Sequence, residues 1–217
     1  MSKGKILVMV GAPGAGKGTQ AKRLEKEFGI PQISTGDILR AMAKEDSPLG
    51  RQLHEIQSAG KLVSDEILFE VVRKRTAEPD CVGGYILDGY PRTLAQAEQL
   101  DRIAEEQGRK LLVLSIEVSD ELLLQRLTGR RICCNCGAIF NVYLSPPVAD
   151  GVCDFCGGSL VQRDDDKVEV IERRIQEYYE NTAPLISRYS EAGLLYRIDG
   201  SKDPAAVFEE LSKYVTA

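Results

Sequence analysis

The stretch GAPGAGKGTQ, Gly11 to Gln20, has the residue types of a phosphate site. Its glycines Gly11, Gly14 and Gly16 let the backbone turn tightly and point several N–H groups inward. Lys17 adds a full charge for terminal phosphates. The pattern is G-x-x-x-x-G-K-[ST] except at its last position, where Gly18 replaces the hydroxyl that would sit on magnesium. The apolar run 5–10 before it reads as a strand buried on both faces. The helical spacing of Ala21, Leu24 and Phe28 after it starts a helix near Lys17 and ends it at Gly29. That helix turns its positive end toward the loop. Gly11, Ala12, Pro13, Gly14, Ala15, Gly16, Lys17, Gly18 and Thr19 are therefore read as a cradle for nucleotide phosphates.

The missing hydroxyl needs a substitute. Magnesium takes six oxygens and keeps several waters, so a carboxylate that orients those waters serves. Asp88 ends the strand pattern YILD, which in a parallel sheet lies at the carboxyl edge beside the phosphate loop.

A second chemical pattern comes later in the chain. Cys133-x2-Cys136 and Cys153-x2-Cys156 are separated by sixteen residues, and each pair is followed by glycine, Gly137 or Gly157. That is the spacing of a four-thiolate zinc site, with knuckles whose N–H groups face sulfur. Four protein ligands leave no open position, so the metal is structural; iron also suits such a cage. Cys134 is one residue off register, and it and Cys81 are read as non-ligands. The one histidine, His54, sits in a polar helical pattern without a partner motif and reads as a surface residue.

The elements around these motifs alternate. Apolar runs at 32–33, 85–88, 111–118 and 195–198 read as further strands, with helical patterns at 64–76, 94–107 and 204–214. Alternation of this kind predicts an α/β fold: a parallel sheet of about five strands wrapped by helices. Two segments interrupt it. Residues 34–63 read as short helices, and 126–166 hold four cysteines, paired prolines and an acidic run. Both read as insertions on one domain, 1–217, with 1–33, 64–125 and 167–217 as core. A long helix is expected after the second insertion, broken near Pro184.

Composition narrows the classes. The 217 residues carry a net charge of −5, which argues against a nucleic-acid binder. No apolar stretch approaches the ~20 residues of a membrane helix. The start resembles neither a signal peptide nor a transit peptide. The chain is read as cytoplasmic, where six cysteines are thiols or metal ligands rather than disulfides.

GAPGAGKGTQ, STGDILR (34–40), GKLVSDE (60–66), DGYPRTLAQAEQL (88–100), GRRIC…GGSLVQRDDD (129–166) and NTAPL (181–185) occur in that order. This series resembles the adenylate kinases, specifically the long form with a zinc-bearing lid, over nearly the whole chain. Glycine at the hydroxyl position is usual there. The resemblance implies reversible in-line transfer of the terminal phosphate of Mg-ATP to AMP, giving two ADP, by a monomer that closes over both nucleotides. It makes 34–63 the AMP-binding insertion and 126–166 the lid. It assigns the AMP to Thr35, Arg40, Lys61, Leu62, Val63, Gly89, Tyr90, Pro91, Arg92, Gln96, Arg163 and Arg174, with Gln96 on the adenine edge. Tyr90 stands where the family more often has phenylalanine. It assigns the ATP, beyond the loop, to Arg126, Arg130 and Lys202. Lys17, Asp88, Arg92, Arg126, Arg130, Arg163 and Arg174 are the expected catalytic set, and Asp165 anchors the lid hinge or an arginine. Several cations are what phosphoryl transfer asks for, since the protein supplies positioning and charge neutralisation.

Other readings keep some of these motifs. A related kinase would use GTP as donor or a different monophosphate as acceptor. A zinc-ribbon binding protein would use the cysteine pairs alone, and a metal-reporting kinase would use the cage as a sensor. A bisubstrate dinucleotide would stabilise the enzyme and not the binding module.

Overall fold

The computed structural model describes residues 4–216. The chain runs β1 (Ile6–Val10), α1 (Lys17–Phe28), β2 (Gln32–Ser34), α2 (Thr35–Met42), α3 (Pro48–Ser58), α4 (Asp65–Thr76), β3 (Tyr85–Asp88), α5 (Leu94–Gln107), β4 (Leu111–Glu117) and α6 (Asp120–Thr128). It continues through β5 (Arg130–Cys133), β6 (Ile139–Asn141), β7 (Leu160–Val161), α7 (Val168–Glu177), α8 (Pro184–Glu191), β8 (Leu195–Asp199) and α9 (Pro204–Thr216).

Five strands form a parallel sheet in the order β2-β3-β1-β4-β8. All five β1 residues are buried, as a strand covered on both faces requires. Their side chains alternate between two cores. Ile6, Val8 and Val10 pack with Tyr90, Leu100 and Tyr189 on one face, and Leu7 and Met9 pack with Leu24, Leu114 and Leu211 on the other. The chain lays β2 and β3 on one side of β1, then crosses to β4 and β8 on the other. Connections leaving in opposite directions open a crevice at the carboxyl ends of the strands.

Capping fixes where the helices facing that crevice begin. Ser34 accepts from the Asp37 N–H at the start of α2, Ser47 from Gly50 at α3, and Thr93 from Gln96 at α5. The second interrupting segment, expected above as a lid, has its own small antiparallel sheet, β6-β5-β7, whose buried cluster is Cys133, Phe140 and Cys153.

The expected strands and helices occur, with β4 ending at Glu117 and α6 added. The break expected near Pro184 comes earlier. α7 passes into one π turn at Tyr178–Thr182, and Pro184 opens α8 at a position where its missing N–H costs no bond. Among the described residues no helix is long and apolar enough to cross a membrane.

Candidate functional site: a cationic cleft and a thiolate cage

The crevice is a cleft of about 620 Å³. The phosphate loop forms its floor. Gly11, Gly14 and Gly16 all adopt positive φ, of 147°, 84° and 102°. Gly14 also needs its bare α-carbon: a Cβ there would lie 2.9 Å from Leu127 of α6. Gly11 and residues 13–19 line the cleft. Ala12 is buried and contributes its carbonyl instead. The Lys17 ammonium donates to the Gly11 and Ala12 carbonyls at 2.7 and 2.9 Å, so the charge is parked on its own loop.

The helical insertion supplies the opposite wall, through Thr35, Arg40, Lys61, Leu62 and Val63. Thr35 Oγ1 donates to the Asp88 carbonyl at 3.3 Å. Gly89, Pro91 and Arg92 line the cleft beyond β3. Arg92 is held from three sides. Its Nε donates to the Gly89 carbonyl at 2.8 Å, its backbone N–H donates to Gln96 Oε1 at 2.7 Å, and its carbonyl accepts from Thr182 Oγ1 at 2.9 Å. Tyr90 and Gln96 are fully buried and do not line the cleft. Tyr90 packs into the core with its hydroxyl on Gln99, 3.1 Å away. Gln96 Nε2 donates to Asp65 at 2.6 Å, so both ends of its amide already have partners.

The lid side brings Arg126, Arg130, Arg163 and Arg174 to the same cleft. Arg126 ties two loops together, donating to the carbonyls of Ala15 at 3.3 Å and Gly200 at 2.9 Å. Lys202 lines the cleft with its ammonium 3.1 Å from Glu210. Arg130 and Arg174 share one carboxylate. Asp166, with no exposed surface, accepts from Arg130 Nε at 2.8 Å and Nη2 at 2.5 Å, and from Arg174 Nη1 at 2.9 Å. Asp165 is the weaker partner, 3.2 Å from Arg174.

These cations lack enough anions. Burial lowers Lys17 to about 8, with Asp88 pulling the other way and Arg92, Arg174 and Arg130 adding to the drop. Burial likewise lowers Arg163 to about 10, helped by Arg40 and Arg130, and lowers Arg92 and Arg174. Burial pushes Asp165 up, but Arg174 and Arg130 outweigh it and hold the carboxyl low. A site that charges this many groups at such cost is complementary to a polyanion.

Sequence reasoning passed over three residues here. Asp166 was masked by a run of three consecutive aspartates. Asp37 accepts from Arg40 at 2.6 Å and lies 3.7 Å from Arg163, joining insertion to lid; its i,i+3 spacing to Arg40 was the available signal. Thr182 lies in NTAPL, where only its position behind Arg92 reveals a role.

The cage stands apart from the cleft. The sulfurs of Cys133, Cys136, Cys153 and Cys156 all lie within 4.8 Å of one another, with Cys133–Cys156 at 3.4 Å and Cys136–Cys153 at 3.6 Å. Tetrahedral zinc–thiolate geometry puts sulfurs roughly 3.8 Å apart, so the donor set fits such an ion. The two knuckles repeat one geometry. The Gly137 N–H donates to the Cys133 carbonyl at 3.0 Å, and Gly157 to Cys153 at 2.8 Å. The Cys136 and Asn135 N–H groups hold the Cys133 thiol down at about 6, while Cys156, despite the Gly158 N–H, is pushed up by the sulfurs of Cys133, Cys136 and Cys153. Cys134 and Cys81 lie outside the group, and His54 is exposed on α3.

A parallel sheet with a glycine-rich loop and lysine at the end of its first strand, roofed by arginines from two insertions, defines a P-loop phosphotransferase. The model of the family described as adenylate kinase matches residues 9–194. The chain belongs to the adenylate kinase family. It is 51% identical to an adenylate kinase of Caldicellulosiruptor bescii over 95% of this chain and 97% of that one. It is 48% identical to one from Archaeoglobus fulgidus, over 94% of this chain and 95% of that one. Against one from Carboxydothermus hydrogenoformans the figures are 50%, 95% and 97%. The match spans floor, wall and lid, where a bare zinc ribbon would match the cysteines alone.

Proposed function

We propose that the chain catalyses reversible transfer of the terminal phosphate of ATP to AMP, giving two ADP. The observation that carries this reading is the convergence of Lys17, Arg92, Arg130, Arg163 and Arg174 on one cleft between the phosphate loop and the helical insertion. Two nucleotides placed end to end bring the negative charge that these groups lack.

Each half of the cleft takes one nucleotide. The loop from Gly11 to Thr19, with Arg126, Arg130 and Lys202, receives ATP, its N–H groups and Lys17 on the β and γ phosphates. Thr35, Arg40, residues 61–63, Gly89 and Arg92 receive AMP, with Arg163 and Arg174 over the transferring group. Tyr90 and Pro91 shape that turn, and Gln96 braces it from behind, its amide held between the Arg92 N–H and Asp65 rather than on the adenine edge the resemblance implies. Magnesium bound with ATP would supply charge neutralisation on the phosphates, and Asp88 is the residue that would hold its waters. No side chain forms a covalent intermediate. The arginines draw the phosphates into line and exclude water, so that the acceptor is AMP rather than solvent.

Residues 34–63 act as the AMP-binding insertion and 126–166 as a lid, with the rest as core. Cys133, Cys136, Cys153 and Cys156 hold a structural zinc ion that fixes the lid's fold. The working unit is a monomer in the cytoplasm, with no nucleic acid or membrane partner.

An acceptor panel tests the reading: purified protein with Mg-ATP and AMP, GMP, CMP or UMP, followed by ADP formation. Rapid ADP formation with AMP alone is expected. Preference for another acceptor would overturn the assignment of the base pocket, and no transfer to any would overturn the activity.

A further inference from the structure

The glycine at the hydroxyl position of the phosphate loop has a physical reason. A Cβ on Gly18 would lie 3.0 Å from Asp88 Oδ2 and 3.9 Å from Gln32 Nε2. The carboxylate of Asp88 therefore sits where a serine or threonine side chain would project from the loop. Something must hold it there. β2 pairs with β3 so that Gln32 lies opposite Ile86 and Ser34 opposite Asp88. Ile86 and Asp88 point to the same face, two residues apart, so the long Gln32 side chain reaches diagonally to Asp88. Its Nε2 donates to Asp88 Oδ2 at 3.1 Å. The assignment is forced, because a carboxylate only accepts and the amide must turn its nitrogen inward. The Gln32 backbone is pinned in turn: its N–H donates to Glu25 Oε1 of α1 at 2.9 Å.

We infer that Gln32 is a positioning residue for the metal-water carboxylate. It spends one oxygen of Asp88 and so fixes the rotamer, leaving Oδ1, which accepts from none of the described residues, for the waters of the cation. Gly18, Asp88 and Gln32 together replace the loop hydroxyl: the glycine makes room, the aspartate faces the cation, the glutamine orients the aspartate. Gln32, on β2, bonds to Asp88 and Glu25 and to neither the phosphate loop nor the arginines, and it does not line the cleft. The inference rests on the reading of Asp88 given under the proposed function.

The test measures binding of the β,γ-imido analogue of ATP by calorimetry, once in excess magnesium and once in EDTA. The wild-type chain, Gln32→Leu and Asp88→Asn are compared, with KM for AMP and the melting temperature recorded beside them. Gln32→Leu is expected to cut the gain from magnesium about tenfold, the scale of one lost hydrogen bond to a charged group. Its affinity in EDTA and its KM for AMP should stay within about twofold of wild type. Asp88→Asn should lose the gain as well. A wild-type magnesium gain in Gln32→Leu, with the gain lost in Asp88→Asn, overturns the role of Gln32 and leaves that of Asp88. The gain kept in both overturns both. Equal weakening with and without magnesium means Gln32 only packs, and also overturns it. If Gln32→Leu does not fold, Gln32→Met, which keeps the length, cannot donate and adds no charge, is read by the same outcomes.

Discussion

The phosphate-loop side and the lid side of the cleft are built from different materials. The loop hangs between β1 and α1, and both are anchored in cores that contain dozens of buried apolar atoms on each face of the sheet. The lid has a cluster of Cys133, Phe140 and Cys153, with Ala138 and Leu160 against it. A segment that small buries too little to hold a fold by itself, and a metal-loaded thiolate cage, as proposed, would supply what apolar area does elsewhere. Burial gives a permanent floor. A metal clip on the four thiolates, as proposed, would make this segment rigid within itself without drawing on the packing of the sheet.

The largest effect expected from breaking this comparison is on the floor. Lys17→Met should lower kcat about 10³-fold with the fold intact, the scale of removing one transition-state cation or donor. Steady-state kinetics beside circular dichroism checks it. Next comes the neck between the two regions. Asp166→Asn leaves Arg130 and Arg174 facing each other without their buried carboxylate. It should cost about 3–5 kcal/mol in denaturant unfolding, the range for breaking a buried ion pair.

Cys153→Ser, or stripping with a thiol-selective chelator, should lose about 10²-fold in kcat as the lid arginines lose their positions. Hydrogen exchange should show residues 130–161 unprotected and β1, β3 and β4 still protected, since the sheet does not depend on the cage. Acidity probes the floor more gently. Burial lowers Lys17 from 10.5 to about 8. Across that window the unfolded chain holds a proton that the folded chain has lost, so stability rises with pH there. Activity runs the other way. kcat/KM for ATP should fall about tenfold per pH unit above about 8, as the free enzyme loses its ammonium. Bound phosphates favour the charged lysine, so the same limb should appear at higher pH in kcat.

The smallest effect separates the regions most cleanly. Gly29 ends α1 at φ 65° and Gly157 closes a knuckle at φ 70°, and a Cβ would meet nothing within 4 Å at either. Alanine costs about 1 kcal/mol of backbone strain at both. Gly29→Ala should lower the melting temperature of the whole chain, whereas Gly157→Ala should weaken zinc binding and leave that temperature nearly unchanged.

The sequence revealed the floor because its signals are local. A buried strand, a glycine turn, a lysine and a helix sit within two dozen residues, and each constrains the next. The cysteine pairs were legible for the same reason. What escaped depends on distance in the chain. Nothing in RDDD tells which aspartate turns inward, because three neighbours in a short turn have equal composition. Only the approach of Arg130 and Arg174 selects Asp166. Gln96 has the chemistry for a base edge, but its partner Asp65 lies 31 residues away, and the sequence does not show that its amide is already engaged. The helix break was placed at Pro184 because proline is the visible breaker, whereas the irregular turn lies just before it.

The neck itself has a consequence for the molecule's history and for its redesign. Arg130 and Asp166 clasp positions 36 residues apart, and Gln162 Nε2 donates across the same neck to the Thr128 carbonyl at 3.4 Å. Whatever lies between them starts and finishes at one point on the core. Closing a loop depends only weakly on its length, with a halving worth about 0.6 kcal/mol. The segment is thus a cassette. A shorter loop, or a differently clipped one, can be set into the same clasp without asking the sheet below to change.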